Sequence, residues 1–286
     1  ETGDIIASAP MAGNSSFGIN PPCYGGGMIF VGLAGGAVQA FNAETLESLW
    51  VFKDTLGGQP NCTIQYSDGY IYTGFWNSET KDANFVCVSA TDEDPDNPTE
   101  TKYATWTYAV QGGFYWAGAY ITDKYAIVGS DDGESDSTSD SSYVYCFDKL
   151  TGEVVQKVGP HHGDIRSDIS YYDGRIYFTS KGGYLYSYNL KEDGTIDTEN
   201  LIEPIEIGKM STSTPAIANG RCYVGSSYGS NFSGTYGISV VDINAETGAM
   251  NLEYVVYTDA YPQTSGVVST GYKGYNYVYF ATHGPS

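Results

Sequence analysis

The chain has 286 residues and a formal net charge of −21, from 34 acidic and 13 basic side chains, which disfavours nucleic acid as a partner. Its 36 Gly, 27 Tyr and 41% hydrophobic residues favour many short strands around a sizeable core. No run approaches the roughly 20 apolar residues that a membrane helix needs.

Related segments follow one another along the chain. The first, GGMIFVGLAGGAVQAFNAETLESLW, has the relatives DGYIYTGFW…FVCVSATDED, DKYAIVGSDDG…SYVYCFDKLTGEVV, DGRIYFTSKGGYLYSYNLKEDGTI and NGRCYVGSSYG…GISVVDINAETGAM, and then the half-copy KGYNYVYFATHGPS. Aligning one residue of each copy gives separations of 42, 55, 50, 46 and 56 residues, for Gly32, Gly74, Gly129, Thr179, Gly225 and Ala281. Such periods are typical of four-stranded propeller blades.

Each copy repeats the same turn chemistry. A pair such as Asp68-Gly69 supplies the positive φ of a tight hairpin, and an alternating strand follows it. A later Asp/Asn-x-x-Thr-Gly segment breaks the ladder before a fourth strand, because its polar side chains can satisfy turn backbone groups. In the first copy we expect Trp50 to return from this turn and pack between neighbouring sheets.

These turns carry a resemblance to a known family. The repeat pattern Ala-x-Asp-x-x-Thr-Gly-x-x-x-Trp of quinoprotein (PQQ)-like β-propellers is matched by Ala40, Asn42, Thr45 and Trp50, with Leu46 in place of Gly. The third copy keeps Asp148, Thr151 and Gly152 but has Gln156 where Trp is expected. The fifth copy keeps Thr247 and Gly248. The resemblance covers nearly the whole chain. It implies an all-β propeller of four-stranded antiparallel blades, five of them recognisable and a sixth split or truncated.

The ends of the sequence bear on the domain. We expect residues 1–286 to form a single β-propeller domain that begins and ends within a blade, because ETGDII resembles the AETGAM turn and the strand after it. Residues 263–281 would supply inner strands and residues 4–8 an outer strand. Either these pieces close a sixth blade, or the complete propeller has seven or eight; residues 1–3 as an expression scar are a further alternative.

Catalytic motifs are missing from the sequence. Quinoprotein dehydrogenases of this architecture hold a quinone cofactor with calcium, carboxylates and a disulfide between neighbouring cysteines, whereas this chain has five Cys and no adjacent pair. It also lacks a Gly-x-Ser-x-Gly elbow, a phosphate-binding Gly-Lys-Ser/Thr loop and a His-Glu-x-x-His motif. We therefore predict a protein that is not an enzyme and has no cofactor, and expect Cys87, Cys146 and Cys222 to be buried hydrophobes.

The segments before each first hairpin are the candidate binding surface. They read GGQPNCT, GGFYWAG, HHGDIRS, KMSTSTP and YPQTSGV, and a propeller brings such segments together around its central channel. Aromatic planes beside amides and a charged pair would suit a glycan or protein ligand, with Arg166 offering a planar fork to a carboxylate or amide. The predicted ligand-binding residues are Gln59, Asn61, Phe114, Tyr115, Trp116, Asp164, Arg166, Tyr261 and Gln263. In an alternative interpretation, Phe114 and Trp116 pack between blades.

Metal binding is left open by the sequence. In GPHHGDIRSD, His161 and His162 lie beside acidic residues, but adjacent residues of an extended strand point to opposite faces, which favours a polar loop with an Asp-Arg pair. The acidic runs at residues 91–100 and 130–142 do not match the EF-hand pattern, so solvated loops are favoured over calcium sites.

The family resemblance implies a non-catalytic bacterial protein, extracellular or at the cell surface, that binds a protein or glycan at the rim without inserting into a membrane. The runner-up is a carbohydrate-active enzyme that uses rim carboxylates such as Asp164 and Asp168. A scaffold whose function lies elsewhere in a longer chain is a third interpretation.

Overall fold

The computed structural model describes residues 3–15, 21–135, 138–229 and 234–283. In these residues every regular element is a β-strand, and the strands form six sheets in chain order. Five sheets each contain four antiparallel strands, the first of these sheets carries a fifth strand in parallel, and the last sheet contains two strands. The predicted all-β propeller of four-stranded antiparallel blades is confirmed.

The first three blades contain strands β1 to β13. Blade 1 is formed by β1 (Cys23–Gly25), β2 (Met28–Leu33), β3 (Ala37–Asn42) and β4 (Ser48–Lys53). Blade 2 is formed by β5 (Gln65–Ser67), β6 (Tyr70–Gly74), β7 (Asp82–Ser89) and β9 (Ala104–Gln111), while β8 (Glu100–Lys102) pairs in parallel with β4 of blade 1. Blade 3 is formed by β10 (Tyr120–Ile121), β11 (Tyr125–Gly129), β12 (Ser142–Asp148) and β13 (Val154–His161).

The remaining blades contain strands β14 to β23. Blade 4 is formed by β14 (Ser170–Tyr172), β15 (Arg175–Thr179), β16 (Tyr184–Asn189) and β17 (Ile205–Glu206). Blade 5 is formed by β18 (Ala216–Ala218), β19 (Arg221–Ser227), β20 (Tyr236–Ile243) and β21 (Met250–Thr258). Blade 6 has only β22 (Val267–Tyr272) and β23 (Tyr275–Tyr279) among the described residues.

The expected outer strand at residues 4–8 is not formed. Residues 3–15 contain no strand, and Ile5 and Ile6 are exposed. A fourth strand pairs with a third, and the described part of blade 6 offers no third strand beside β23.

The two predicted kinds of turn are both present. The hairpin at Asp68-Gly69 has φ of 50° and 84°, as a primed turn requires. In the turn before β4, the Asn42 side-chain oxygen accepts hydrogen bonds from the backbone N–H groups of Glu44 and Thr45, at 2.9 and 3.1 Å. The same pair of bonds forms at the equivalent turns that begin with Asp148 and Asn244.

Side-chain hydrogen bonds from the fourth strand join one blade to the next. Trp50 is fully buried, and its indole N–H donates to the backbone oxygen of Ala90 in blade 2 at 3.3 Å, which confirms its predicted packing between sheets. Trp106 donates in the same way to the oxygen of Lys149 at 3.0 Å. In blade 3 the amide of Gln156 replaces the indole, donating to the oxygen of Ile196 at 3.0 Å and accepting from its N–H at 2.7 Å. The missing Trp is thus replaced by a side chain that keeps the bond between blades.

The acidic run at residues 91–100 is folded around a lysine. Lys102 is buried, and its ammonium donates to the backbone oxygen of Thr91 at 2.7 Å and pairs with the Glu93 carboxylate at 2.8 Å. The Glu100 carboxylate accepts the N–H groups of Glu93 and Asp94. Lys102 therefore balances part of the negative charge of this acidic loop. The other acidic run includes residues 136 and 137, which lie outside the described residues.

The turn before the fourth strand yields a test of backbone strain. Gly152 has φ of +75°, and a β-carbon there would lie 2.6 Å from the Trp106 ring, whereas the equivalent Leu46 holds φ of +59°. We expect Gly152→Ala to lower the free energy of unfolding by about 2 kcal/mol, from left-handed strain and the ring contact. We expect Leu46→Gly to remain within about 1 kcal/mol of the wild type, because relief of strain offsets the entropy of glycine. Urea unfolding measures both, and equal losses in the two variants would contradict this account.

Candidate functional site

Each blade is packed closely against the segment that leads into the next blade. A β-carbon at Gly74, at the end of β6, would lie 2.5 Å from Cβ of Phe114, and one at Gly32 would lie 3.0 Å from Pro60. The same approach brings Gly129 against Ile165 and Gly225 against the backbone of Pro262. The glycines that align the repeats are therefore the places where a lead-in segment crosses a neighbouring strand.

Two alternate positions of the lead-in segments recur from blade to blade. Positions 13 residues before the aligned residues of blades 2 to 5 are Asn61, Trp116, Arg166 and Thr212, which we name the first ring. Positions 11 residues before them are Thr63, Gly118, Asp168 and Thr214, which we name the second ring. The residues between the rings, at positions 62, 117, 167 and 213, are at most 2% exposed. Because side chains alternate between the two faces of an extended strand, residues of the two rings share the face opposite to that of the residues between them.

A central cavity of about 710 Å³ lies where these segments converge. Its volume lies in the usual range for a small-molecule pocket. Residues of the two rings supply most of the wall, and the segment before β22 completes it. The lining residues are Pro21, Thr63, Trp116, Arg166, Asp168, Thr212, Thr214, Gln263, Thr264, Ser265 and His283.

Asp168 connects the lead-in segments of blades 2, 4 and 5. Its two carboxylate oxygens accept the hydroxyl of Thr63 at 3.0 and 3.2 Å, and its backbone N–H donates to Thr214 Oγ1 at 2.9 Å. A β-carbon at Gly118 would collide with the carboxylate of Asp168. The glycine of the second ring therefore leaves the space through which Asp168 reaches Thr63.

Trp116 ends a stack of three aromatic rings. The ring centroids of Trp76 and Tyr115 are 4.5 Å apart, and those of Tyr115 and Trp116 are 4.3 Å apart, both pairs stacked. Trp116 is half-buried and lines the cavity. Its φ of +60° is unusual for a bulky residue, and such strain is concentrated at functional sites.

The guanidinium of Arg166 is surrounded by carboxylates. It forms two bonds with Asp131, from Nε to Oδ1 at 3.0 Å and from Nη2 to Oδ2 at 2.6 Å. Nη2 also lies 2.5 Å from Glu79 and 2.9 Å from Asp164, and Lys181 Nζ lies 3.8 Å from Asp164. The predicted Asp164–Arg166 pair is therefore present, as part of a network that joins the lead-in of blade 4 to blades 2 and 3.

Burial raises the pKa values of two of these acids, Asp131 and Asp164. Burial is the main cause that raises the pKa of Asp131 to about 7, opposed by the charge of Arg166. Burial and then the charge of Asp131 raise the pKa of Asp164 to about 8. Glu79, Asp131 and Asp164 have oxygens within 4.8 Å of one another, but Arg166 supplies the positive charge that a metal ion would bring to such a cluster.

The two adjacent histidines point to different surroundings, as the alternation of a strand predicts. His161 is buried, its Nε2 is 2.9 Å from the hydroxyl of Tyr188, and burial lowers its pKa to about 4. His162 is partly exposed, with Nδ1 2.7 Å from Asp140. The two imidazoles therefore have separate partners and do not share a site.

The predicted ligand-binding residues separate into two groups. Trp116, Arg166 and Gln263 line the cavity. The other members of the prediction lie behind its wall or beside it: Gln59 and Asn61 bond to each other at 3.0 Å, Tyr115 lies within the aromatic stack, Asp164 pairs with Arg166, and Tyr261 accepts the N–H of Thr212 at 3.0 Å.

Two of these predictions are wrong in their detail. Phe114 is fully buried in the core with Phe85, at a ring distance of 5.3 Å, because it fills the space beside Gly74; its side chain is not accessible to a ligand. Arg166 lines the cavity, but its planar fork is already bonded to Asp131, so it is not a free fork for a ligand carboxylate. The alternative of packing between blades thus holds for Phe114, whereas Trp116 lies outside the hydrophobic clusters found among the described residues.

Other lining residues were not among the predicted ligand-binding residues. Thr63, Thr214 and Pro21 occupy one repeat position, 11 residues before Gly74, Gly225 and Gly32, and could have been found by reading the lead-in segments column by column. Thr264, Ser265 and His283 belong to the last copy, which is irregular, so its residues could not be aligned with the lead-in positions of the other copies.

Comparison with known proteins defines the family. The family model described as outer membrane protein assembly factor BamB matches residues 97–282, more than half of the chain. The chain therefore belongs to this family of PQQ-like repeats. Among curated proteins no sequence matches it significantly.

Solved structures share the fold at low sequence identity. BamB from Moraxella catarrhalis has a TM-score of 0.51 at 19% identity, over 80% of this chain and 60% of that chain, so the present chain spans less than two thirds of its length. The computationally designed Ika8 protein has a TM-score of 0.58 at 14% identity, over 91% and 70% of the two chains. A provisionally assigned 6-phosphogluconolactonase from Bacteroides fragilis has a TM-score of 0.61 at 14% identity, over 92% and 76%. These likenesses extend to the fold alone. Among the described residues no helix is long and apolar enough to span a membrane.

The pKa of Asp168 gives a test of the cavity. Burial raises this pKa from 3.8 to about 6, opposed by hydrogen bonds from Thr63 and Gly118. Two other ionisable groups lie close by: the Cys62 thiol is buried, and the charge of Arg166 is paired with Asp131. Between about pH 4 and 6 the folded state therefore holds more protons, and stability falls as pH rises through this window. In Asp168→Asn this contribution is absent, so we expect the variant to gain stability relative to the wild type from about pH 4 to 6. The other acids are common to both proteins and cancel. Urea unfolding across this range checks it, and a constant difference would contradict the assignment.

Proposed function

We propose that the protein is a non-catalytic binding propeller at the cell surface or outside the cell, and that its central cavity takes a segment of a partner protein. The observation that carries this proposal is the convergence of lead-in segments from successive blades on one cavity of about 710 Å³. Polar side chains surround the strained aromatic Trp116 there, and an aromatic anchor within a polar wall is a common arrangement for ligand recognition.

A protein partner is favoured over a glycan by the family. Its description as an outer membrane protein assembly factor supports an interaction with proteins and a location in the cell envelope. The cavity wall also offers hydroxyl and amide groups from Thr212, Thr214 and Gln263, which can bond to the backbone of an extended peptide.

The enzymatic alternative is less well supported. Glycoside hydrolysis uses two carboxyl groups on either side of the bond that is cleaved. Asp168 is the one acidic residue among the described residues that line the cavity, and Asp164 is directed into the network with Arg166 and Lys181. Although a provisionally assigned lactonase shares the fold, its 14% identity carries no residue of an active site to this chain.

A screen identifies the class of ligand. The full chain is immobilised and offered a displayed library of random linear peptides and, separately, a glycan array. We expect enrichment of peptides and no retained glycan. Glycan binding without peptide binding would overturn the protein-binding proposal, and release of sugar from an oligosaccharide would restore the enzymatic one.

Trp116 provides the matched variant. We expect Trp116→Ala to weaken binding of an enriched peptide by at least about tenfold, because an aromatic anchor is lost. The free energy of unfolding should fall by only about 1 kcal/mol, the value of one aromatic contact. The control is Tyr103→Ala, which removes a ring that is 81% exposed and does not line the cavity. Calorimetric titration and thermal melting measure the two effects. A loss of about 3 to 5 kcal/mol in stability, as for a core aromatic, would remove Trp116 from the site.

A further inference from the structure

Asp168 is a charged group without a charged partner. Its carboxylate is bonded to the neutral hydroxyl of Thr63, and a backbone hydrogen bond from Gly118 also stabilises its ionised form. No ion pair between Asp168 and a basic side chain is formed within the part of the chain that the structure describes. The other residues of the second ring, Thr63, Gly118 and Thr214, are uncharged.

The basic side chains of the network beside the cavity, Arg166 and Lys181, are paired with other acids. Arg166 lines the same cavity, but its guanidinium is bonded to Asp131 and Glu79. Lys181 is directed to Asp164, at 3.8 Å. At neutral pH the cavity therefore holds an ionised carboxylate in partly dehydrated surroundings, a state that an incoming cation stabilises.

The rest of the wall suits an organic cation. Trp116 lines the same cavity, and an indole ring attracts ammonium and guanidinium groups. Hydroxyl and amide oxygens of Thr212, Thr214 and Gln263 can accept the remaining N–H bonds of such a group. A single carboxylate beside an indole is a poor ligand set for calcium, which takes six to eight oxygen atoms.

We infer that the central cavity binds a basic side chain of the partner polypeptide, lysine or arginine, with Asp168 as its counterion and Trp116 as its aromatic wall. This inference rests on the proposed function, since it names the group by which a protein partner enters the cavity. The net charge of −21 would add long-range attraction for a basic partner, but the selectivity lies in Asp168.

The peptide library tests the inference directly. We expect peptides enriched on the full chain to share a lysine or arginine at one fixed position. Replacing that residue by norleucine for lysine or citrulline for arginine removes the charge and keeps much of the shape. Calorimetric titration should then show affinity lower by at least about tenfold.

Two protein variants locate the effect in the cavity. Asp168→Asn keeps an oxygen that can accept the Thr63 hydroxyl and should lose the same factor in affinity, with no further loss when the neutral peptide is used. Glu192→Gln removes an equal charge from an exposed loop and should bind as the wild type does. The urea unfolding described above also checks that Asp168→Asn is folded.

The outcomes separate the inference from the proposed function. If the neutral peptide or Asp168→Asn binds as tightly as the wild-type pair, the basic-side-chain inference is overturned while peptide binding stands. If calcium chloride displaces the peptide from the wild type but not from Asp168→Asn, the site is a metal site and the inference is again overturned. If no peptide is enriched at all, the proposed function fails and the inference fails with it.

Discussion

The contact between a strand glycine and the lead-in segment of the next blade is the constraint on which the cavity depends. At Gly74, Gly129 and Gly225 a β-carbon would overlap the neighbouring segment, so these blades pack only with this close approach. The approach fixes where each lead-in segment crosses, and its two-residue period then fixes which side chains point to the centre. A requirement of packing between blades thus determines the wall of the cavity.

The repeated lead-in segments form the wall of the cavity, and the residues that differ between repeats determine its chemical character. Equivalent positions of the second ring hold Thr63, Gly118, Asp168 and Thr214. Two of the four are threonine, whereas Gly118 has no side chain and Asp168 carries a charge. The gap at Gly118 and the reach of Asp168 depend on each other, because the carboxylate occupies the space that a side chain at Gly118 would fill. A symmetric ring would have no unique anchor, whereas this one has a single acid with an aromatic neighbour.

The sequence predicted what local chemistry determines. Turns beginning with Asn42 or Asp148 act through side-chain bonds to residues two and three positions ahead, so the pattern alone located them. The blades followed because these turns recur at regular intervals. Long-range pairing could not be predicted from the sequence in this way. Arg166, for example, pairs with Asp131, which is 35 residues away, and with Glu79, which is 87 residues away. Phe114 was misplaced because its apolar ring suits a rim as well as a core, and only the glycine opposite decides between them.

The most direct test changes a strand glycine that does not line the cavity. Gly225 lies against Pro262, which precedes the lining residues Gln263, Thr264 and Ser265. If the close approach positions the wall, Gly225→Ala displaces that segment, and both stability and binding of an enriched peptide should fall sharply. Gly271→Ala is the matched control, since a β-carbon there meets no atom within 4 Å. Unfolding and titration of the two variants would contradict the account if Gly225→Ala matched Gly271→Ala in both measurements.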